Sequence, residues 1–300
     1  MNILVTGGLG YIGSYLCNKL SENNNNIIIL DNFSNSLNTI KEKEKIKIIE
    51  GDIRDKKIVD NMVDDIDTII HTAAQISVLK SIEDPIYDSD NNINGTLNIL
   101  EAARESEIER FIYISSAAVY GVPTYLPIDE EHITNPVSPY GLSKLTGERY
   151  SLLYHDLYGL PITCIRPFNI FGPGQMKNSY SGVITKFMEN IKNGDSPIIF
   201  GDGNQTRDFV YINDVVDAIL LIMKNNNTIG QVFNIGSGSP INIKDLAETI
   251  IKISGKDIYP KFKKSRIGDI DESYADITKA RKILGYDPKY SLESGLRLCM

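Results

Sequence analysis

Three residues of this chain have side chains and a spacing that suit proton abstraction. Tyr140 and Lys144 lie four positions apart, so on a helix the phenol and the ammonium would be neighbours on one face. A nearby cation favours the phenolate and brings the tyrosine pKa down from its ordinary value of about 10 toward neutral pH. Ser116 could hydrogen-bond the same substrate hydroxyl and steady the negative charge that develops as a hydride leaves. These residues predict a general base with two helpers, and the alternative is a solvent-facing tyrosine and lysine on an ordinary helix.

The start of the chain has the pattern of a dinucleotide site. The apolar run from Asn2 to Thr6 predicts a strand, and the glycine-rich turn from Gly7 to Gly13 follows it before a helical pattern begins. Glycines at such a turn let a pyrophosphate approach the backbone N–H groups at the helix N-terminus. A second apolar run ends at Asp31, where a carboxylate would bind the adenosine ribose and repel a 2′-phosphate. This order favours NAD over NADP, and a plain structural turn is the weaker alternative.

Strand and helix patterns continue to alternate through the first half. Strand-like runs at residues 47–52, 68–74 and 110–116 are separated by helical patterns. This alternation predicts an α/β fold with a Rossmann-type, doubly wound parallel sheet. Ser116 would then lie at the carboxyl end of a strand, the edge where such sheets bind ligands. A lone histidine after an apolar run, His71, is expected to be a hydrogen-bonded structural residue, with a catalytic role as the less favoured alternative.

The second half of the chain has shorter elements and longer loops. The run from Ile162 ends in a loop rich in glycine and proline, from Pro167 to Gly174. We expect a smaller C-terminal α/β lobe that closes over a substrate. The predicted domains are an NAD-binding domain at residues 1–165, with the catalytic residues, and a substrate-binding lobe at residues 166–300, whose elements can interleave with the first.

The composition excludes several classes of protein. The chain has 300 residues, 42% hydrophobic and 23% charged, and a net charge of −8 argues against a general nucleic-acid binder. Cys17, Cys164 and Cys299 are too scattered for a disulfide framework or a metal site, which favours a reducing, cytoplasmic environment. No apolar run reaches the roughly 18 residues of a membrane span, and no charged leader precedes the first strand.

Several motifs match one superfamily in their order along the chain. They are Gly7 to Gly13, Asp31 to Ser36, Gly51 to Ile53, His71 to Ala74, Ile114 to Gly121, and Tyr140 with Lys144. From Met1 to about Leu284 the chain resembles the extended short-chain dehydrogenase/reductase superfamily. Within it, the chain most resembles the UDP-glucose 4-epimerase group of NAD-dependent nucleotide-sugar epimerases. The resemblance implies reversible inversion of C4 of a UDP-hexose through a 4-keto intermediate, with tightly bound NAD, in a homodimer.

The resemblance also implies which residues would contact NAD. Gly7, Gly10 and Gly13 would hold the pyrophosphate, and Asp31 would hold the adenosine ribose. Lys144 would bond the nicotinamide ribose as well as keep Tyr140 ionised. The other residues implied to contact the cofactor are Tyr11, Ile12, Asn32, Asn35, Ser36, Asp52, Ile53, Thr72, Ala73, Ala74, Asn92 and Pro167.

A second set of residues would bind the UDP-sugar. Arg207 and Arg266 would bind the diphosphate, because the forked donors of a guanidinium match phosphate oxygens, and Asp269 would bind a uridine ribose hydroxyl. For each arginine alone, the alternative is a surface charge. The whole implied set is Ser116, Asn169, Val183, Phe200, Arg207, Arg266, Asp269 and Ser273.

Two departures from related enzymes narrow the reaction. Ala117 and Ala118 stand where the 4,6-dehydratases carry an Asp-Glu pair, and UDP-glucuronate decarboxylases usually carry a glutamate near Ala118. Ser273 stands where some epimerases carry a bulky tyrosine, which implies room for an N-acetyl group. A shift of one residue would place Tyr274 there and reverse this inference. The open alternatives are an epimerase or decarboxylase of UDP-glucuronate and a non-catalytic NAD sensor.

Overall fold

The computed structural model describes residues 1–36, 40, 44–175, 182–265 and 270–300. Its strands are β1 (Asn2–Thr6), β2 (Asn26–Asp31), β3 (Ile46–Glu50), β4 (Thr68–His71), β5 (Arg110–Ile114), β6 (Ile162–Pro167), β7 (Asn169–Phe171), β8 (Ile198–Phe200), β9 (Thr206–Tyr211), β10 (Gln231–Ile235), β11 (Pro240–Asn242), β12 (Lys261–Lys263) and β13 (Glu272–Ser273). Its helices are α1 (Tyr11–Ser21), α2 (Lys56–Asp60), α3 (Val78–Glu83), α4 (Pro85–Ser89), α5 (Gly95–Arg104), α6 (Pro139–Tyr158), α7 (Val183–Lys192), α8 (Ile212–Met223), α9 (Ile243–Ser254), α10 (Thr278–Leu284) and α11 (Leu292–Cys299). One turn of π-helix, Asp90–Asn94, joins α4 to α5.

A seven-stranded parallel sheet forms the larger part of the protein. Its strand order is β10-β6-β5-β4-β1-β2-β3, and every pairing in it is parallel. Helices cover both faces, so the central strands β4, β5 and β6 are buried along their whole length. The strand order reverses between β1 and β4, and a crevice forms at the carboxyl ends of strands at such a reversal. The predicted Rossmann-type doubly wound sheet is therefore confirmed.

Helix α6 is held at both ends by its own sequence. Ser138 caps the first turn by accepting a hydrogen bond from the backbone N–H of Gly141, and Pro139 occupies the first turn, where its missing N–H costs nothing. Gly159 ends the helix with a φ of 72°, the left-handed conformation that favours glycine. Within this frame Tyr140 lies in the first turn and Lys144 one turn later, on the same side of the helix.

The second half of the chain builds a smaller α/β layer. Strand β9 is paired with β7, β11 and β13, while β8 pairs with β12. Helices α7, α9 and α11 pack against these strands around a separate apolar cluster that includes Phe187 and Leu246. Strand β10 from this half joins β6 in the large sheet, so the halves interleave. The domain boundary at residue 165 stays a prediction.

The described ranges hold neither a membrane-spanning helix nor a cluster of metal ligands. No helix there is long and apolar enough to cross a membrane. No group of three or more His, Cys, Asp or Glu side chains in the same ranges could hold a metal ion. The three cysteines are free thiols, and Cys17 and Cys164 are buried.

Candidate active site

A cavity of about 500 Å³ opens at the carboxyl ends of the central strands. Its walls come from the turn after β1, the ends of β2, β4, β5 and β6, and the first turns of α6. The residues predicted from the sequence that line it are Gly7, Gly10, Tyr11, Ile12, Gly13, Asp31, Asn32, Asn35, Ile53, Thr72, Ala73, Ala74, Ser116, Tyr140, Lys144 and Pro167. One cavity thus brings together the predicted dinucleotide residues and all three predicted catalytic residues.

The glycine turn after β1 has no room for side chains. A Cβ atom on Gly7 would lie 2.7 Å from the backbone of Ala73, and a Cβ on Gly13 would lie 2.3 Å from the carbonyl oxygen of Gly7. Gly7 also has a φ of 66°, and its carbonyl accepts a hydrogen bond of 3.0 Å from the N–H of Gly10. The backbone of this turn therefore borders the cavity directly, as close approach by a pyrophosphate requires.

Asp31 lies at the end of β2 with its carboxylate fixed by backbone donors. Its two oxygens accept hydrogen bonds from the N–H groups of Leu9, at 2.9 Å, and Phe33, at 2.8 Å. A further acidic residue beyond the end of β3, Asp52, accepts from Asn32 and forms an ion pair with Arg54, whose guanidinium holds the pKa of Asp52 below its ordinary value. Asp52 and Ser36 were also predicted to contact NAD, but they lie outside the cavity lining.

Two residues that line the cavity have buried hydroxyl groups without a hydrogen-bond partner in the described chain. Within the described residues, the Ser115 hydroxyl and the Tyr11 hydroxyl are buried without a hydrogen-bond partner, and both residues line the cavity. Buried polar groups are nearly always paired, so a ligand that supplies partners here would be favoured. Together with the glycine turn and Asp31, these atoms show that the residues present fit a bound dinucleotide.

Several other residues that line the cavity were not among the predicted site residues. The structure adds Gln75, Ser115, Lys80 and Tyr87, with the Lys80 ammonium 4.2 Å from the centre of the Tyr87 ring. Ser115 directly precedes Ser116 at the end of β5, and that position was the only signal that could have indicated it.

Ser116, Tyr140 and Lys144 all line this cavity. The neighbouring Ser116 side chain lowers the pKa of the Tyr140 phenol, but burial raises that pKa by more. The expected lowering of the Tyr140 pKa is therefore wrong for the ligand-free protein, because desolvation of the phenolate outweighs the other contributions. Burial also lowers the pKa of Lys144 to about 8, and its ammonium lies 4.5 Å from the centre of the Tyr113 ring.

Asn92 is only 1% exposed and lies outside the cavity lining. Its amide donates to the carbonyl of Gln75, the carboxylate of Asp88 and the hydroxyl of Ser143, at 2.9, 3.1 and 3.0 Å, and its oxygen accepts from the N–H of Gln75 at 2.8 Å. These bonds join the loop after β4 to helix α6. Asn92 thus positions the wall of the cavity, and its direct contact with the nicotinamide side stays a prediction.

His71 is enclosed between two threonines. Its Nδ1 lies 2.7 Å from the Thr6 hydroxyl and its Nε2 lies 3.0 Å from the Thr96 hydroxyl, which itself donates to the carbonyl of Asn92. Nε2 must therefore carry the proton, and Nδ1 accepts from Thr6. Burial lowers the pKa of His71 to about 3, so the ring is neutral near pH 7. This is the structural role favoured by its position in the sequence.

Three of the predicted substrate residues share the sheet around β9. Arg207 is paired with Ser273 in β13, and two residues further along β9, Phe209 is paired with Asn169 in β7. Since residues paired across strands point to one face, and alternate residues on a strand do too, these side chains share a face. Arg207 and Ser273, far apart in the sequence, are thus direct neighbours.

The remaining predicted substrate residues lie at element ends. Val183 begins α7 directly after Gly182, which lines the cavity, and Phe200 ends β8. Arg266 and Asp269 lie outside the described residues.

Comparison with known proteins gives the same assignment as the site. The model of the NAD dependent epimerase/dehydratase family matches residues 3–236. A putative UDP-glucose 4-epimerase of Methanocaldococcus jannaschii is 44% identical over 98% of this chain and 96% of its own length.

Two solved structures share the fold over nearly the whole chain. A UDP-N-acetylglucosamine 4-epimerase from Methanobrevibacter ruminantium M1, in complex with UDP-N-acetylmuramic acid, is 35% identical with a TM-score of 0.94, covering 99% of this chain and 96% of that one. A UDP-glucuronic acid 4-epimerase from Bacillus cereus, in complex with UDP-glucuronic acid and NAD, is 33% identical with a TM-score of 0.93, covering 99% and 97%. With a dinucleotide cavity, a Ser-Tyr-Lys set inside it and these full-length similarities, the chain belongs to the NAD dependent epimerase/dehydratase family.

Proposed function

We propose that this protein inverts C4 of UDP-hexoses, interconverting UDP-glucose and UDP-galactose with a tightly held NAD. The observation that carries the proposal is that Ser116, Tyr140 and Lys144 line the same cavity as the glycine turn and Asp31. A base, its hydroxyl partner and a dinucleotide cradle in one cavity are the parts that oxidation of a bound sugar hydroxyl needs.

Each residue of the site has a role in the proposed reaction. Tyr140 takes the proton from the sugar 4-hydroxyl, and Ser116 holds the same oxygen through a hydrogen bond as negative charge develops on it. The Lys144 ammonium stabilises the phenolate form of Tyr140. NAD, when bound, supplies a reversible hydride acceptor for C4. Asn169 and Arg207 hold the nucleotide while the 4-keto sugar turns over, and Tyr140 then returns the proton to the 4-oxygen.

The short turn after Ser116 favours epimerisation over dehydration. Ala117 and Ala118 occupy a single turn of 3-10 helix, Ala117–Val119, beside the catalytic serine. Neither side chain can act as an acid or base, so elimination of water across C5 and C6 has no proton donor at these positions. A reversible oxidation at C4 is the reaction that remains.

We also propose that UDP-N-acetylhexosamines are substrates. Ser273 faces the same side of the sheet as Arg207, and its small side chain leaves space that a tyrosine would fill. The similar enzyme from Methanobrevibacter ruminantium M1 is a UDP-N-acetylglucosamine 4-epimerase, which supports the proposal. Ser273→Tyr should lose N-acetyl activity by about tenfold or more relative to UDP-glucose activity, while Ser273→Ala keeps both. An N-acetyl activity that survives Ser273→Tyr would rule out Ser273 as the residue that makes room for the acetyl group, and a wild type that does not convert UDP-N-acetylglucosamine would rule the proposal out.

The function itself is tested by proton NMR of sugar conversion. The protein is incubated separately with UDP-glucose, UDP-N-acetylglucosamine and UDP-glucuronate, without added NAD, and the anomeric and H4 signals are followed. Appearance of the galacto isomers establishes 4-epimerisation with retained cofactor. Conversion of UDP-glucuronate alone would favour the glucuronate epimerase instead. If no sugar changes even after NAD is added, the epimerase proposal fails and the NAD-sensor alternative takes its place.

We further propose a cytoplasmic homodimer. One face of helix α6 exposes apolar side chains at Leu142, Tyr150, Leu153 and Leu157. Leu157 is the most exposed of these four, at 62%. Exposed apolar side chains along one face of a 20-residue helix are typical of a surface that pairs with a second copy. The three free thiols fit a reducing compartment.

A further inference from the structure

A buried carboxylate lies next to α6, the helix that carries Tyr140 and Lys144. Asp88 belongs to α4, which packs against α6, and is only 1% exposed. Its Oδ1 accepts hydrogen bonds from the side-chain amides of Gln75, at 2.7 Å, and Asn92, at 3.1 Å. Its Oδ2 is buried and has no hydrogen-bond partner among the residues that the structure describes. A carboxylate removed from water in this way is costly unless a positive charge lies nearby.

Lys144 is a buried cation on which the charge of Asp88 acts. Burial lowers the pKa of Lys144, and Asp88 is the foremost of the charges that raise it again. Asn92 links the two elements, because its amide donates both to Asp88 and to Ser143, the residue before Lys144. Asp88 also raises the pKa of Tyr140. Asp88 therefore acts on both members of the catalytic pair.

Other groups face Lys144, but they contribute less charge. The Glu148 carboxylate on α6 is neutralised by a two-bond ion pair with Arg166, at 2.5 and 2.9 Å. Burial raises the pKa of the Cys164 thiol on β6, and it lowers the pKa of His71 on β4, so both groups are neutral near pH 7. The Tyr113 ring on β5 offers its face to the Lys144 ammonium. Asp88 is thus the carboxylate near Lys144 without an ion-pair partner of its own in the described chain.

We propose that Asp88 is a positioning residue whose buried negative charge keeps Lys144 protonated beside Tyr140 in the working pH range. The inference rests on the proposed epimerase function for its meaning, but the protonation of Lys144 can be measured without turnover. The sign of the effect is fixed by electrostatics. Loss of a negative charge lowers the pKa of every nearby group, so Lys144 loses its proton at lower pH and Tyr140 ionises at lower pH.

The Asp88→Asn variant tests this prediction. An asparagine oxygen can still accept both bonds from Gln75 and Asn92, so the variant removes the charge and retains the acceptor. Both limbs of the pH profile of kcat/KM, measured with UDP-glucose between about pH 5 and pH 10, should move toward lower pH. At about pH 9 the variant, normalised to its own maximum, should be about tenfold slower than the wild type. A lower rate with unmoved limbs would mean a purely structural role and would overturn the proposal.

A direct measurement follows Lys144 in the absence of substrate. In protein labelled with ¹³C at lysine Cε, the signal assigned by its loss in Lys144→Arg should titrate near pH 8 in the wild type and at lower pH in Asp88→Asn. Should Asp88→Asn fail to fold, the wild-type titration alone decides, because a Lys144 already neutral at pH 7 contradicts the proposal. This readout is independent of the reaction catalysed, so it separates failure of the inference from failure of the proposed function.

Two control variants separate charge from position. Asp88→Glu retains the charge and should leave the pH limbs near those of the wild type. Asp90→Asn removes a carboxylate two residues away that bonds the side chain of Asn94 and is half-exposed, so water screens it. It should leave both limbs in place. Limbs that move equally in Asp90→Asn and Asp88→Asn would show a general charge effect and would also overturn the proposal.

Discussion

Tyr140 can act as a general base only when its hydroxyl has lost its proton. In the ligand-free protein the Tyr140 phenol is stabilised in its neutral form, because burial raises its pKa more than the Ser116 side chain lowers it. A base must lose its proton before it can abstract another, so positive charge has to reach Tyr140 at the moment of reaction. Lys144 is one source, and the oxidised nicotinamide of NAD, which is cationic, is the other. If Tyr140 is the base, we expect it to ionise more readily when NAD is bound than in the ligand-free protein.

The Tyr140→Phe variant tests the assignment of the base. Removing one hydroxyl leaves the ring in place, so NAD should still copurify, while kcat should fall by about 10²- to 10⁴-fold because proton transfer is lost. Turnover is followed by NMR and bound NAD by acid release and absorbance. Tyr259→Phe, at an exposed ring outside the cavity lining, is the matched control and should behave as wild type. Wild-type turnover in Tyr140→Phe would refute the assignment.

At the scale of elements, the backbone of Ala73, just after β4, limits which residues can occupy the turn from β1 to α1. Gly7 lies against the backbone of Ala73, so the turn and the segment after β4 can approach this closely only because Gly7 has no side chain. The crevice at the strand ends thus depends on contact between two segments that are 66 residues apart.

Gly7→Ala should separate close approach from backbone strain. Gly7 and Gly255 have φ values of 66° and 67°, but a Cβ on Gly255 would meet nothing within 4 Å. Both alanine variants should lose about 1 kcal/mol of unfolding free energy from the left-handed conformation. Gly7→Ala should lose about 1–3 kcal/mol more through overpacking, and should also lose bound NAD. Urea unfolding and NAD release provide the measurements, and equal losses in the two variants would contradict this account.

A second prediction at this scale concerns acid stability. His71 joins β1 to α5 as a neutral ring with a pKa of about 3, whereas in the unfolded chain it would titrate near its ordinary value of 6.5. Between these two pH values, His71 binds a proton in the unfolded chain but stays neutral in the native protein. The free energy of unfolding should therefore decrease by up to about 1.4 kcal/mol per pH unit through this residue.

The contribution of His71 can be isolated by substitution and by NMR. His71→Gln should be about 1–3 kcal/mol less stable near pH 7, because the bonds to Thr6 and Thr96 are weakened, but its stability should decline less steeply toward pH 4. Urea unfolding across this range measures both effects. In the wild type, the NMR signals of the His71 ring should show no titration near pH 6. A His71 ring that becomes protonated there would disprove the buried neutral state.

For the molecule as a whole, local patterns predicted the parts that depend on nearby residues. The glycine turn, Asp31, the fold class and the spacing of Tyr140 and Lys144 follow from period and turn chemistry, which act within a few residues. The pairing of Arg207 with Ser273 depends on strand register across 66 residues, and the network of Asp88, Gln75 and Asn92 depends on packing. The direction of the Tyr140 pKa was mistaken for the same reason, since desolvation is a property of the folded interior.

Assembly is the last property that follows from the molecule as a whole. In a two-fold dimer each substitution acts twice, so a charge placed in the apolar stripe of α6 should weaken association by several kcal/mol. We expect the wild type to be a dimer at about micromolar concentration in sedimentation equilibrium, and Leu157→Glu to be a folded monomer because Leu157 is 62% exposed and supports no core. Leu298→Glu places the same charge at a 56% exposed leucine on α11 and should remain dimeric. A monomeric wild type, or equal behaviour of the two variants, would show that the stripe on α6 is not the interface.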